Sequence, residues 1–244
     1  MMDAIRSELA PHGVLRAGIN LGNFLLVTGR TPSGDPVGVA PDMAQEIAAG
    51  LGVPVVYVPY ASPGELADAA GTDAWDIGLI GAEPARARTI AFTSAYVEIE
   101  ASYLVPPDSP LQAVEEVDQP GIRIAVTGRS AYGLWLDRNI KRAELVRSAS
   151  LDEACEQFVR DGLDALAGLR PRLILDAAGL PGSRILPGRF TAVQQAVGTL
   201  RGNTKGAAFL QRFVEEARDS GLVARLIARH QVVGLSVASA TAAS

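Results

Sequence analysis

A single cysteine, Cys155, in 244 residues excludes an intrachain disulfide. Its neighbours Leu151, Ala154, Phe158 and Val159 recur at helical spacing, so the thiol reads as a small core residue rather than a nucleophile. Two histidines, His12 and His230, are too few for a metal cluster or a His-based triad. No apolar run approaches the roughly 18 residues of a membrane span, so the chain is not expected to be membrane-embedded. A net charge of −5 lacks the basic surface that nucleic acid requires. Neither a P-loop nor G-x-G-x-x-G occurs, which argues against a nucleotide cofactor; no cofactor of any kind is expected. The opening MMDAIRSELAPHGVLRAG has no positive n-region, apolar h-region or small-residue cleavage site. As written, the chain is expected in the cytoplasm, or in the periplasm if a leader has been trimmed. Asp3 is read as the cap of a short helix carrying Ile5 and Leu9.

With 48% hydrophobic residues the chain can bury one large core or two modest ones. Short apolar runs alternate with amphipathic segments. Residues 14–20, 53–58 and 75–80 read as strands, and the segments beginning at Asp42 and Ser62 as helices, each opened by that residue. After the proline cluster Pro106-Pro107-Asp108-Ser109-Pro110 the pattern restarts, with strands at 122–126, 144–146, 163–168 and 183–186 and helices at 133–139 and 151–161. Residues 203–219 and 221–230 form closing helices, and the Ala/Ser-rich tail after Val233 reads as frayed. Strands alternating with helices at this spacing predict parallel α/β sheets.

The stretch Gly81–Glu100 holds the densest chemistry. A buried strand empties into a loop bearing Glu83, Arg86 and Arg88, and ligands of open α/β sheets bind at such strand ends. Taken alone, the two arginines fit a solvated loop as well as an anion site. Farther on, Ser130 caps a helix whose free N–H groups could hold an anion, although taken alone a bare cap is the better explanation.

Arg86-Ala87-Arg88-Thr89-Ile90-Ala91-Phe92-Thr93-Ser94-Ala95-Tyr96 resembles the R-A-(K/R)-x-(I/V)-x-F-(S/T)-x-x-Y stretch of family 3 solute-binding proteins. These are type II periplasmic binding proteins that serve polar amino-acid ABC importers. Ala95 stands where the family usually has proline. Gly38-Val39-Ala40-Pro41-Asp42-Met43 is similar to the family's G-F-D-V-D-L, Arg129-Ser130-Ala131-Tyr132 to G-S-T-Y, and Leu163-Asp164-Ala165 to the V-D-A strand. The likeness runs over nearly the whole chain.

The resemblance implies two α/β lobes, residues 1–104 with 192–244 and residues 105–191. Each would be a mostly parallel sheet flanked by helices, and a two-strand hinge would let the lobes close on a ligand in the cleft between them. It implies a monomer that binds a small molecule and delivers it to an ABC permease. By the family pattern Arg86, Ser130 and the N–H of Ala131 hold the ligand's carboxylate, and Asn23 and Phe24 supply a polar and an aromatic group; core packing of Phe24 is equally open. The family's amine-binding aspartate falls five residues after Asp164, where this chain has Leu169 followed by Arg170. An organic acid without an ammonium is therefore expected, with Arg170 available to a second carboxylate and Glu83 as the one residue able to replace the acid. Cyclohexadienyl dehydratases share the fold and use a cleft carboxylate as general acid, for which Glu83 is the candidate. A detached ligand-sensing module is a third reading.

Overall fold

Each apolar run pairs as a strand and each amphipathic segment packs as a helix in a computed structural model that describes residues 2–239. The elements begin with α1 (Met2–Leu9), β1 (Leu15–Asn20), the short strands β2 (Gly29–Arg30) and β3 (Pro36–Val37), and α2 (Val39–Leu51). They continue with β4 (Val55–Tyr60), α3 (Pro63–Asp68), β5 (Ile77–Gly81), β6 (Ile90–Phe92), β7 (Val97–Val105), β8 (Arg123–Thr127), α4 (Ala131–Asn139) and β9 (Glu144–Ser148). The rest are α5 (Leu151–Arg160), β10 (Ala165–Leu169), α6 (Arg170–Ala178), β11 (Arg184–Ile185), β12 (Thr191–Leu200), α7 (Thr204–Asp219), α8 (Leu222–Arg229) and β13 (Ser236–Val237). Internal contacts divide the chain into two compact units, Met1–Glu98 with Gln194–Ser244, and Ile99–Val193.

In the first unit β1 lies between β4 and β5, parallel to both, with Leu15 opposite Val55 and Ala17 opposite Ile77. β12 extends the sheet antiparallel to β5 and also pairs with β6. Parallel strands need cover on both faces. One face packs Leu15, Ile19, Met43, Ile47, Leu51 and Leu210 into the main core, and the other packs Leu66, Trp75, Ile80 and Ile90.

The second unit repeats the plan. β8 lies between β9 and β10, parallel to both, and β7 runs antiparallel to β10. Its core gathers Leu104, Ala125, Ala154, Phe158, Leu163, Leu166 and Leu173, with Cys155 packed against it. Burial raises the pKa of that thiol, as expected of a core residue.

The same device sets strand register in both units. Asp76, just before β5, accepts from the Arg16 N–H at 2.8 Å while its own N–H donates to the Arg16 carbonyl at 2.9 Å. Asp164, just before β10, accepts from the Arg123 N–H at 2.8 Å and donates to the Arg123 carbonyl at 3.0 Å.

Several local expectations need correction. Asp42 does not cap α2; Gly38 occupies that position, and the Asp42 carboxylate instead meets His230 Nε2 at 2.8 Å and Arg229 Nη1 at 3.1 Å. Asp3 lies inside α1, facing Arg6 at 3.7 Å, rather than capping it. The tail is not frayed through residues 234–239, because β13 pairs Ser236 with Glu98 and Val237 with Val97; its last five residues, 240–244, lie outside the described part. Helix α6 was not anticipated. Its start at Arg170-Pro171 is readable as proline in a first turn, but its apolar face is short.

Candidate functional site

The carboxyl ends of β1 and β5 are neighbours in the first unit, because the strands are parallel and adjacent. After β1 the chain folds into a tight turn. The Asn23 carbonyl accepts from the N–H groups of Leu26 at 3.0 Å and Val27 at 2.9 Å, and its side-chain Oδ1 accepts from Leu25 N–H at 3.2 Å. Asn23 is buried and Phe24 half-buried. Part of the Asn23 carboxamide is thus committed to shaping the loop.

After β5 the chain makes a single 3-10 turn, Arg86–Arg88, which distinguishes the two arginines. Arg86 is buried, with 5% of its surface exposed, whereas Arg88 is exposed. Arg86 Nη1 donates to the Gly81 carbonyl at 2.7 Å, tying the guanidinium to the end of β5. The Glu83 carbonyl receives the N–H groups of Arg86 at 3.0 Å and Ala87 at 2.9 Å, and its side chain is half-buried in the same loop. A guanidinium is costly to bury, and a fixed one suits bidentate capture of an anion.

In the second unit the carboxyl ends of β8 and β10 are likewise neighbours. Ser130 caps α4: its Oγ accepts from Gly133 N–H at 3.0 Å and donates to the Thr127 carbonyl at 2.7 Å. Both roles of the hydroxyl are therefore structural, and the N–H of Ala131, first residue of α4, is among the first-turn groups that the helix leaves without an internal partner. Arg129, standing where the family pattern has glycine, takes φ +59°, the left-handed region that explains that glycine.

Leu169 ends β10 opposite Ala101 and is buried. Arg170 is not the bare cation that its sequence position implied. Its Nε lies 3.0 Å from Glu100 Oε2 and its guanidinium also donates to the Gly188 carbonyl, while Arg189 approaches Glu100 at 3.5 Å. Glu100 escaped the sequence reading. Its one signal was the alternation of Val97-Glu98-Ile99-Glu100, which puts two carboxylates on the same side of a strand.

Among the described residues no group of three His, Cys, Asp or Glu side chains could hold a metal, and no helix is long and apolar enough to cross a membrane. Two α/β units, each gathering polar groups at the carboxyl ends of parallel strands, define a type II periplasmic-binding-protein fold. The profile of bacterial extracellular solute-binding proteins, family 3, matches residues 23–232, and the chain belongs to that family.

A histidine kinase sensor domain with similarity to periplasmic binding proteins superposes with TM-score 0.76 at 18% identity, covering 93% of this chain and 99% of that one. An amino acid ABC transporter substrate-binding protein from Streptococcus pneumoniae, bound to L-arginine, gives TM-score 0.73 at 18% identity over 96% of this chain and 99% of its own. At such identities the likeness is one of fold. Cyclohexadienyl dehydratase of Pseudomonas aeruginosa is 30% identical over 138 residues, 55% of this chain and 51% of that protein. The chain thus matches about half the length of that relative.

Proposed function

We propose that this protein binds a small organic acid without an α-ammonium group and serves an ABC importer. Arg86 acts as the guanidinium partner of a ligand carboxylate in the first unit, and the second unit offers the N–H of Ala131 beside Ser130 as a donor in its own right. The buried Arg86 carries the reading, because its guanidinium is anchored to the Gly81 carbonyl at the end of β5 and a fixed guanidinium suits bidentate binding of a carboxylate. Leu169 supports the exclusion of an ammonium, since it offers no counter-charge. Arg170 could serve a second carboxylate only by exchanging it for Glu100. Calorimetry on wild type and Arg86→Ala is the test: the variant should lose about 2–5 kcal/mol of binding while keeping its fold. Equal affinities, with Arg88→Ala damaging binding instead, would contradict the assignment.

The similarity to a cyclohexadienyl dehydratase supports a second reading, with Glu83 as general acid. An arginine three residues away disfavours a protonated carboxyl, so catalysis is the weaker alternative. Turnover of prephenate or arogenate by purified protein, abolished in Glu83→Gln, would establish the enzyme; its absence leaves the binding reading. A sensor function has the histidine kinase sensor domain as its structural relative.

A further inference from the structure

A concavity lies within the Ile99–Val193 unit, and of the groups described above only Arg189 lines it. It is a cavity of about 230 Å³ lined by Tyr103, Trp135 and Phe190, with Glu115, Asp118 and Arg189 at its edge. Three elements build it. β7 contributes Tyr103, the second turn of α4 contributes Trp135, and Phe190 comes from the residue just before β12. The rings form a continuous tilted stack, with centroids 4.6 Å apart for Tyr103–Phe190 and 5.4 Å for Trp135–Phe190. Tyr103 is fully buried and makes the floor, while Trp135 and Phe190 remain half-exposed.

The charge at the edge has a definite sign. Asp118 accepts from the N–H groups of Lys141 at 3.1 Å, Arg142 at 2.7 Å and Ala143 at 2.9 Å. Its burial is outweighed by those three donors, so its pKa is lowered and it stays ionised. Glu115 is exposed and forms no hydrogen bond or ion pair among the described residues. Arg189, the one cation on the lining, faces Glu100 at 3.5 Å, a carboxylate that it shares with Arg170 at 3.0 Å. Two carboxylates thus share the lining with the three rings.

We infer that this aromatic cavity is a second ligand site, selective for a small organic cation with an apolar or aromatic body, such as an alkylated ammonium. Ring faces attract cations through their quadrupole, and the edge carboxylates add to the same field while repelling acids. The volume lies below that of drug-sized sites, which limits the ligand to a small molecule. This preference is opposite in sign to the organic acid proposed for Arg86, so the two sites are distinguishable with one set of probes.

Trp135 is a built-in reporter, because the other tryptophan, Trp75, is buried in the other unit's core. Titration of the full chain with benzyltrimethylammonium should give a saturable change in tryptophan fluorescence in roughly the millimolar range. The change should vanish in Trp135→Phe, and benzoate should produce none. Glu115→Gln, an exposed substitution that leaves the fold intact, should raise the midpoint about three- to tenfold. Arg86→Ala should not move it. Absence of saturation, an equal response to benzoate or to neutral benzyl alcohol, or an unchanged midpoint in Glu115→Gln would overturn the inference.

Discussion

Gly38 shows why one residue of a recognisable motif cannot vary. Its φ is +149°, and a side-chain carbon there would lie inside the van der Waals envelope of the Leu26 carbonyl. The carbonyl cannot retreat, because it accepts the Ala40 N–H at 3.1 Å as α2 begins. Gly38→Ala should therefore destabilise the protein by about 2–3 kcal/mol, seen as a lower urea midpoint with unchanged slope. An unaltered midpoint would mean that the Leu26 loop yields freely. At this scale the sequence resolved residue types better than their partners. Arg86 and Arg88 were equivalent as letters, and only the 3-10 turn between β5 and β6 buries one and exposes the other. Asp42 was visible as an acid near a helix start, yet its partner His230 lies 188 positions away and no local pattern encodes that pairing.

At the scale of elements, strands and helices with strong apolar periodicity were legible, while short pieces defined by tertiary pairing were not. β13 is two residues in an Ala/Ser-rich tail and exists because β7 offers it an edge. α6 carries exposed Ile174 and Leu175 beside buried Leu173, so its face is not cleanly amphipathic. The aspartate ahead of β10 was legible as a motif position, but the reciprocal bonds that Asp76 and Asp164 make to the neighbouring strand were not. Asp164→Ala removes one charge-assisted bond and strips the Arg123 N–H of its partner, which should cost about 1–3 kcal/mol. Hydrogen exchange checks this by location as well as size: protection should fall first at β8 and β10. Loss of protection spread evenly over the chain would contradict a role confined to that strand pair.

For the whole molecule, the family resemblance and the α/β class were readable because the motifs recur at strand ends along nearly the full length. The candidate site was readable only as parts. Ser130 was correctly read as a helix cap, although α4 starts at Ala131 rather than at 133, whereas Arg170 proved to be held by Glu100, a residue that periodicity alone gives no reason to select. The account rests on ligand charge, and a thermal-shift screen of hydroxy-, keto- and dicarboxylic acids against the standard amino acids, on wild type and Arg86→Ala, tests it most directly. A ligand at a hundred times its Kd adds about 2.7 kcal/mol of stability, worth roughly 5–10 °C in Tm for a chain of this size. The account predicts such a shift with an organic acid, none with amino acids, and its loss in Arg86→Ala. Stabilisation by a standard amino acid that survives in Arg86→Ala would contradict it.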